Sequence, residues 1–257
     1  ISKTRPSVNS AGLSRMQLVE AASDALRNIS IPNGPALITF WGNRGVGKTT
    51  LLTDIADYFS AEQQVQIVKI NEIGKSTIEE IKQGLSEKIS PLSLDKSVVV
   101  LVDDLDELLR SDSQSFFDFE RTVVQPLVDQ GNVLILCTSQ IELNQWREDD
   151  VRIRQVNHHL QAMEYEEAIS LLSDTEIPAK RAYKLTLGHP NVAGWLKEDP
   201  SLTDRQLAYK AWKYFLEDMP ADAMSIAQIV YQFPIFNIFI LQKTYAILTG
   251  DQLGYLD

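Results

Sequence analysis

Apolar residues along this chain fall into two alternating rhythms. The first is the short unbroken run: Ala36-Leu37-Ile38-Thr39-Phe40-Trp41, then 65–70, Val98-Val99-Val100-Leu101-Val102, and Val133-Leu134-Ile135-Leu136-Cys137. Runs of this length, bounded by residues such as Pro35 and Gly42, predict buried strands, and a fifth strand is expected over 151–160. The second is helical spacing: 13–29 with Leu18, Ala21, Ala22 and Leu26 on one face, then 49–59, 76–89, 116–128 and 164–172. Ser76 with Glu79 three residues on predicts a capping box for the third of these helices. Strands apolar on both faces that alternate with helices predict an α/β fold whose parallel sheet is covered on both sides.

After about residue 160 only helical patterns remain, broken at Ile177-Pro178 and at Gly188-His189-Pro190, with a further helix over 202–216. The expected organisation is an α/β domain over 1–160, a small helical domain over 161–217, and the start of a third module over 218–257. That last stretch carries Ile226, Val230, Phe233, Ile235, Phe236, Phe239 and Leu241, an apolar set that needs partners. The chain opens at Ile1 and stops soon after a new apolar element begins, so the sequence is expected to be a segment of something longer.

Composition narrows the classes. With 257 residues and 44% hydrophobic content the chain can bury a full core. No stretch reaches the roughly 18 uninterrupted apolar residues of a membrane helix, which argues against membrane insertion. A formal charge of -11 with no dense Lys/Arg cluster opposes attraction to nucleic acid. The single Cys137 closes an apolar strand, where a buried thiol is the expectation, and a reducing, cytoplasmic setting follows.

Acidity does not exclude phosphate ligands, because a phosphate site is built locally from backbone amides and one or two cations. Gly42-Asn43-Arg44-Gly45-Val46-Gly47-Lys48-Thr49 satisfies G-x-x-x-x-G-K-[ST], directly after a strand and directly before a helix. Glycines let the loop curl so that its N–H groups face phosphate oxygens, and the start of the helix adds positive potential. Lys48 would neutralise β/γ oxygens, Thr49 would offer a hydroxyl to Mg²⁺, and Thr50 continues the binding turn.

A second constellation is the apolar run 98–102 ending in Asp103-Asp104. In a parallel sheet, ligands gather at the carboxyl ends of strands, so Asp103 would hold Mg²⁺ and Asp104 would orient or deprotonate an attacking water. Asp106 and Glu107 fit either that role or the first turn of a helix. Thr138-Ser139-Gln140, closing the strand at 133–137, could touch a terminal phosphate or serve as an ordinary strand-to-loop turn. His158 and His159 are adjacent on an expected strand and point to opposite faces, so they read as structural, and Trp41, Trp146, Trp195 and Trp212 read as packing residues.

The order of these pieces, followed by Lys184-Leu185-Thr186-Leu187-Gly188-His189-Pro190, resembles the signal-transducing STAND NTPases, relatives of the AAA+ ATPases that include the NACHT and NB-ARC groups. The resemblance spans roughly 14–240. It implies an ASCE-type sheet, nucleotide clamped against a helical lid with Pro190 near the adenine, and a winged-helix module beginning after about Met219. Asp103-Asp104-Leu105-Asp106-Glu107 is similar to the NACHT pattern, whose second position is usually small, which leaves Asp104 and the pair Asp106 and Glu107 as alternatives for the water. Gln140 stands where members often carry arginine, and Ser14-Arg15 only echoes the Gly-Arg pair that often precedes the first helix.

The resemblance implies a switch: ATP or ADP with Mg²⁺ selects closed and open arrangements, slow hydrolysis resets them, and self-association in the ATP state is read by attached or separate effector and sensor domains. A fast AAA+ style motor acting on protein or nucleic acid is the rival, with Arg121, Arg147, Arg152 and Arg154 as candidates for an arginine supplied to a neighbour. A nucleotide-binding module without hydrolysis is the third.

Overall fold

The computed structural model describes residues 14–62, 64–70, 73, 76–89, 96–111, 113–163, 165–173, 175, 177 and 188–216. The expected winged-helix stretch, the apolar set from Ile226 to Leu241 and the segment 184–187 lie outside the described residues. The chain divides into two compact units, Ile1–Gly194 and Trp195–Asp257.

In the first unit, five strands form one parallel sheet: β1 (Leu37–Trp41), β2 (Val65–Ile70), β3 (Ser97–Val102), β4 (Val133–Ser139) and β5 (Gln155–His159), in the order β2-β3-β4-β1-β5. Register runs Leu37 to Ile135 and Trp41 to Ser139 between β1 and β4, and Val102 to Cys137 between β3 and β4. The ends of β1, β3 and β4 that carry the sequence motifs therefore lie side by side.

Helices α1 (Arg15–Arg27), α2 (Lys48–Ser60) and α3 (Ile78–Ile89) follow the expected periodicity. Parallel crossovers are right-handed, so the step from β1 to β2 and the opposite-going steps β2 to β3 and β3 to β4 put their helices on opposite faces. The packing agrees: α1 contacts α2, while α3 contacts α5 (Ser113–Phe119) and the turn that follows it. The core between these layers is built from Leu37, Phe40, Leu51, Ile55, Phe59, Val99, Phe116, Phe119 and Leu134, all within 1% of full burial. Among the described residues, no helix is long and apolar enough to cross a membrane.

Three local expectations are corrected. The capping box of α3 uses Thr77 and Glu80 in place of Ser76 and Glu79: the Glu80 N–H donates to the Thr77 hydroxyl (3.3 Å) and the Thr77 N–H to the Glu80 carboxylate (2.8 Å). Adjacent hydroxyl residues both precede the helix, and the one whose partner lies over the first turn wins. The strand expected over 151–160 begins only at Gln155, because Val151 belongs to helix α7 (Asp149–Ile153), whose first turn carries Asp149 and Asp150 at the positive helix end. The single helix expected over 116–128 is divided among α5, a π-helical turn (Glu120–Val124) and α6 (Gln125–Asp129). Pro126 explains the widening: it has no N–H for the preceding turn, and its ring would crowd the carbonyl four residues back in a regular helix. The short helix α4 (Asp106–Ser111) carries Asp106 and Glu107 in its first turn, one of the two placements the sequence left open for them.

Arg154, between α7 and β5, donates to the carbonyls of Gly34 (2.8 Å), Val128 (2.9 Å) and Ile29 (2.8 Å). One guanidinium thus bonds three main-chain carbonyls and ties together the segments around α1, α6 and β1. Replacing it (Arg154→Leu) is expected to cost about 2 kcal/mol, seen as a melting temperature roughly 5 °C lower in a thermal-shift assay.

Along the chain follow α8 (Tyr165–Leu172), α9 (Pro190–Glu198) and α10 (Asp204–Leu216). In the second unit, α10 places Tyr214 edge-on to Trp195, with ring centroids 5.3 Å apart, and Lys210 over the Trp195 ring at 4.9 Å. These contacts agree with a packing role for Trp195.

Candidate functional site

The loop between β1 and α2 is shaped by backbone that side chains resist: Gly45 (φ 78°) and Gly47 (φ 90°) lie in the left-handed region. A Cβ on Gly47 would stand 2.0 Å from the Arg15 guanidinium, which donates to the Val46 carbonyl at 3.0 Å. Arg15 also lies 4.0 Å from Asp54, so the first turn of α1 braces the loop from outside. The Lys48 ammonium, on a side chain only 6% exposed, donates to the carbonyls of Gly42 (2.9 Å) and Asn43 (3.1 Å). Asn43, Thr49 and Thr50 are exposed, Arg44 and Gly45 half-buried, and Val46 buried. The Gly42 N–H is held by the Ser139 carbonyl at 3.1 Å, which fixes the loop to the tip of β4.

Beside it, the tips of β3 and β4 are joined past their last ladder pair. The Thr138 hydroxyl donates to Asp103 Oδ1 (2.5 Å) and accepts from the Asp104 N–H (2.8 Å), while the Thr138 carbonyl accepts from the Leu105 N–H (2.8 Å). Asp104 adopts φ 50°, a left-handed conformation uncommon outside glycine and best tolerated by Asn and Asp. Burial foremost, and then the Asp103 charge, raise the Asp104 carboxyl above the usual carboxylate range, with Lys48 acting in the opposite sense. Asp106 is 2% exposed, and its Oδ1 accepts from the Gln140 N–H at 2.9 Å. Glu107 is exposed on α4. The Ser139 hydroxyl is buried and turned onto its own loop, donating to the Ile141 carbonyl at 2.6 Å.

From the other side, His189 Nε2 donates to the Arg44 carbonyl (3.1 Å), and burial lowers the pKa of its ring. Gly188, at φ 73°, is packed so closely that a Cβ would meet the Met163 carbonyl at 2.1 Å. Pro190 opens helix α9 (Pro190–Glu198), the position where a ring that lacks an N–H costs nothing. The structure therefore gathers residues 42–50, Asp103, Asp104, Thr138 and the Gly188-His189 turn around one loop. Ser139 reaches that loop through its carbonyl.

The candidate arginines separate. Arg154 is committed to the three carbonyls already described. Arg152 pairs with Asp149, Arg121 lies 3.7 Å from Asp118, and the Arg147 guanidinium stacks 3.3 Å over the Phe117 ring. Sequence reasoning missed Glu120, 1% exposed in the π-helical turn, whose carboxylate accepts the N–H groups of Arg147 (2.8 Å) and Glu148 (2.9 Å). Its signal was a lone acid on an apolar helical face. Cys137 is buried and its thiol is pushed up to about 12, which makes it inert. His158 stacks on Phe40 and His159 on Trp41.

Among the described residues, no group of three or more His, Cys, Asp or Glu could hold a metal alone. One carboxylate on Asp103 and the exposed Thr49 hydroxyl fit Mg²⁺, which usually takes one or two protein oxygens and leaves the rest to phosphates and water.

Residues 38–158 match the family described as AAA, ATPase family associated with various cellular activities. This segment is thus similar to the P-loop ATPase domain of that family. The chain also has similar counterparts among solved structures. C. elegans PCH-2 is 17% identical with a TM-score of 0.46, over 78% of this chain and 62% of that one. A chain of the E. coli MS115-1 HORMA:CdnC:Trip13 complex is 15% identical with a TM-score of 0.48, over 91% and 88%. Cdc6p from Pyrobaculum aerophilum is 12% identical with a TM-score of 0.49, over 96% and 83%. The chain thus spans less than two thirds of the PCH-2 chain it matches. No curated protein matches it in sequence.

Proposed function

We propose that this chain binds ATP with Mg²⁺ and hydrolyses it slowly, as a switch of the STAND type within a larger protein. The amides of Gly42, Asn43, Arg44, Gly45, Val46 and Gly47 cradle the phosphates, Lys48 neutralises them, and Thr50 closes the turn. Thr49 and Asp103 hold the cation, which when bound neutralises phosphate charge and polarises the terminal phosphoryl group. Asp104 orients and deprotonates the water. Ser139 contributes by holding Gly42, and Pro190 borders the base. In this reading, residues 1–160 carry the nucleotide, 161–217 form the lid and 218–257 begin a winged-helix module.

The single observation that supports a switch is the hydrogen bond from His189 to the Arg44 carbonyl, because it ties the Gly188-His189-Pro190 turn to the phosphate loop. A phosphate that reshapes the loop would be felt at that turn. The motor alternative draws on the AAA match at residues 38–158 and needs an arginine offered to a neighbouring copy. Arg121 and Arg152, both mostly exposed, remain candidates for it.

The two readings part on turnover and assembly. A switch retains nucleotide through purification and changes mass between its ATP and ADP forms in light-scattering chromatography. Equal masses with rapid steady turnover would favour the motor, and no retained or bound nucleotide would remove both.

A further inference from the structure

We infer that Thr138 is a positioning residue for the acidic tip of β3, acting on the cation and the water through Asp103 and Asp104 and not by touching nucleotide. The inference rests on the nucleotide reading above and deepens it.

A threonine hydroxyl has one proton to give and two lone pairs to accept with. Here the proton goes to Asp103 Oδ1 at 2.5 Å, and one lone pair takes the Asp104 N–H at 2.8 Å. The side chain is 0% exposed, so its proton is committed inside the fold. The regular β3–β4 ladder ends at Val102 and Cys137. Beyond that pair, the Thr138 side chain and carbonyl and the Asp106 carboxylate on Gln140 take over the work of ladder hydrogen bonds.

Two consequences follow. With Oδ1 of Asp103 engaged, the carboxylate plane is set, and its remaining lone pairs point in fixed directions toward a cation. With its N–H captured by the same hydroxyl, Asp104 is held in its left-handed turn at φ 50° and cannot relax into a continued strand. One hydroxyl thereby fixes both acids relative to β4, whose next residue holds Gly42 of the phosphate loop. Groups that orient a metal-binding carboxylate typically govern metal affinity or activity by roughly 10–100-fold.

The experiment titrates Mg²⁺ against binding of a fluorescent ATP analogue to the full chain, with hydrolysis rates measured in parallel. Thr138→Val removes both hydrogen bonds at nearly constant volume. It is expected to raise the Mg²⁺ concentration for half-maximal tightening roughly 10–100-fold and to lower kcat more than it raises KM, with affinity in EDTA unchanged. Thr138→Ser keeps the hydroxyl and is expected to behave like the native chain. On an Asp103→Asn background, Thr138→Val should move the Mg²⁺ midpoint no further, because the two residues act as one unit. If the valine variant does not fold, Thr138→Cys, whose thiol is a poor donor, makes the same comparison. A native Mg²⁺ midpoint in Thr138→Val or Thr138→Cys overturns the inference, and so does a loss of affinity in EDTA, which would mean direct contact with nucleotide. Lys48→Ala, run alongside, separates the failures: if it binds nucleotide normally, the nucleotide reading itself fails.

Discussion

A Lys48→Ala chain is expected to bind ATP roughly ten- to a hundredfold more weakly than the native chain. The side chain is buried at the root of α2, and its ammonium sits against the Gly42 and Asn43 carbonyls, inside the curl of the phosphate loop. A phosphate oxygen offered there replaces neutral acceptors with a charged one, and hydrogen bonds to charged groups contribute about 1.5–3 kcal/mol each. Alanine is the best helix former at the start of α2, so the loss is local to binding. Isothermal titration with ATP, beside a thermal melt, makes the check. An unchanged dissociation constant with an unchanged melt would falsify the phosphate-loop reading, because no other cation of residues 42–50 is buried in the loop.

The effect is expected to differ in kind from one at Arg15. That guanidinium bonds the outside of the loop at Val46 and packs on Gly47, so it shapes the loop without entering it. In the sequence, Ser14-Arg15 was only a faint echo of a family motif; the contact depends on α1 packing against α2, which no local pattern encodes.

That contrast runs through the molecule. The strands and the phosphate loop were legible because their signals are local. Four apolar residues in a row at Val133-Leu134-Ile135-Leu136 have few other homes, and the loop motif needs only its flanking strand and helix. What stayed hidden depends on residues far apart in the chain. Strand order β2-β3-β4-β1-β5 cannot be read from periodicity, and without it Thr138 and Asp103 have no reason to meet. Glu120 looked like one acid in an amphipathic helix until the loop carrying Arg147 and Glu148 came to it. Val151 misled because one apolar β-branched residue suits a strand or a buried helix face equally well, and the acidic pair before it decided for the helix. At the site, a Gly-x-Pro segment is visible in sequence, but the bond from His189 to Arg44 that gives it a connection is not.

An Asp104→Asn chain is expected to hold ATP as tightly as the native chain and to hydrolyse it roughly 10²–10⁴-fold more slowly, the range that removal of a general base produces. The substitution suits the site for a structural reason: Asp104 sits at φ 50°, and asparagine is among the few residues that accept that conformation. Its N–H still reaches the Thr138 hydroxyl, so the β3–β4 clasp survives. Removing the charge also relieves the repulsion from Asp103 and the burial of an ionised carboxylate, so the melting temperature should hold or rise. Single-turnover hydrolysis and retained-nucleotide analysis read the two halves of the prediction. The neighbouring acids supply the controls. Glu107 is exposed, and Glu107→Gln should leave turnover close to native. Asp106 holds the Gln140 N–H with a nearly buried carboxylate, so Asp106→Asn should lower stability along with rate. Arrested turnover in Glu107→Gln, with native turnover in Asp104→Asn, would reassign the water to α4 and leave Asp104 as part of the turn that carries Asp103.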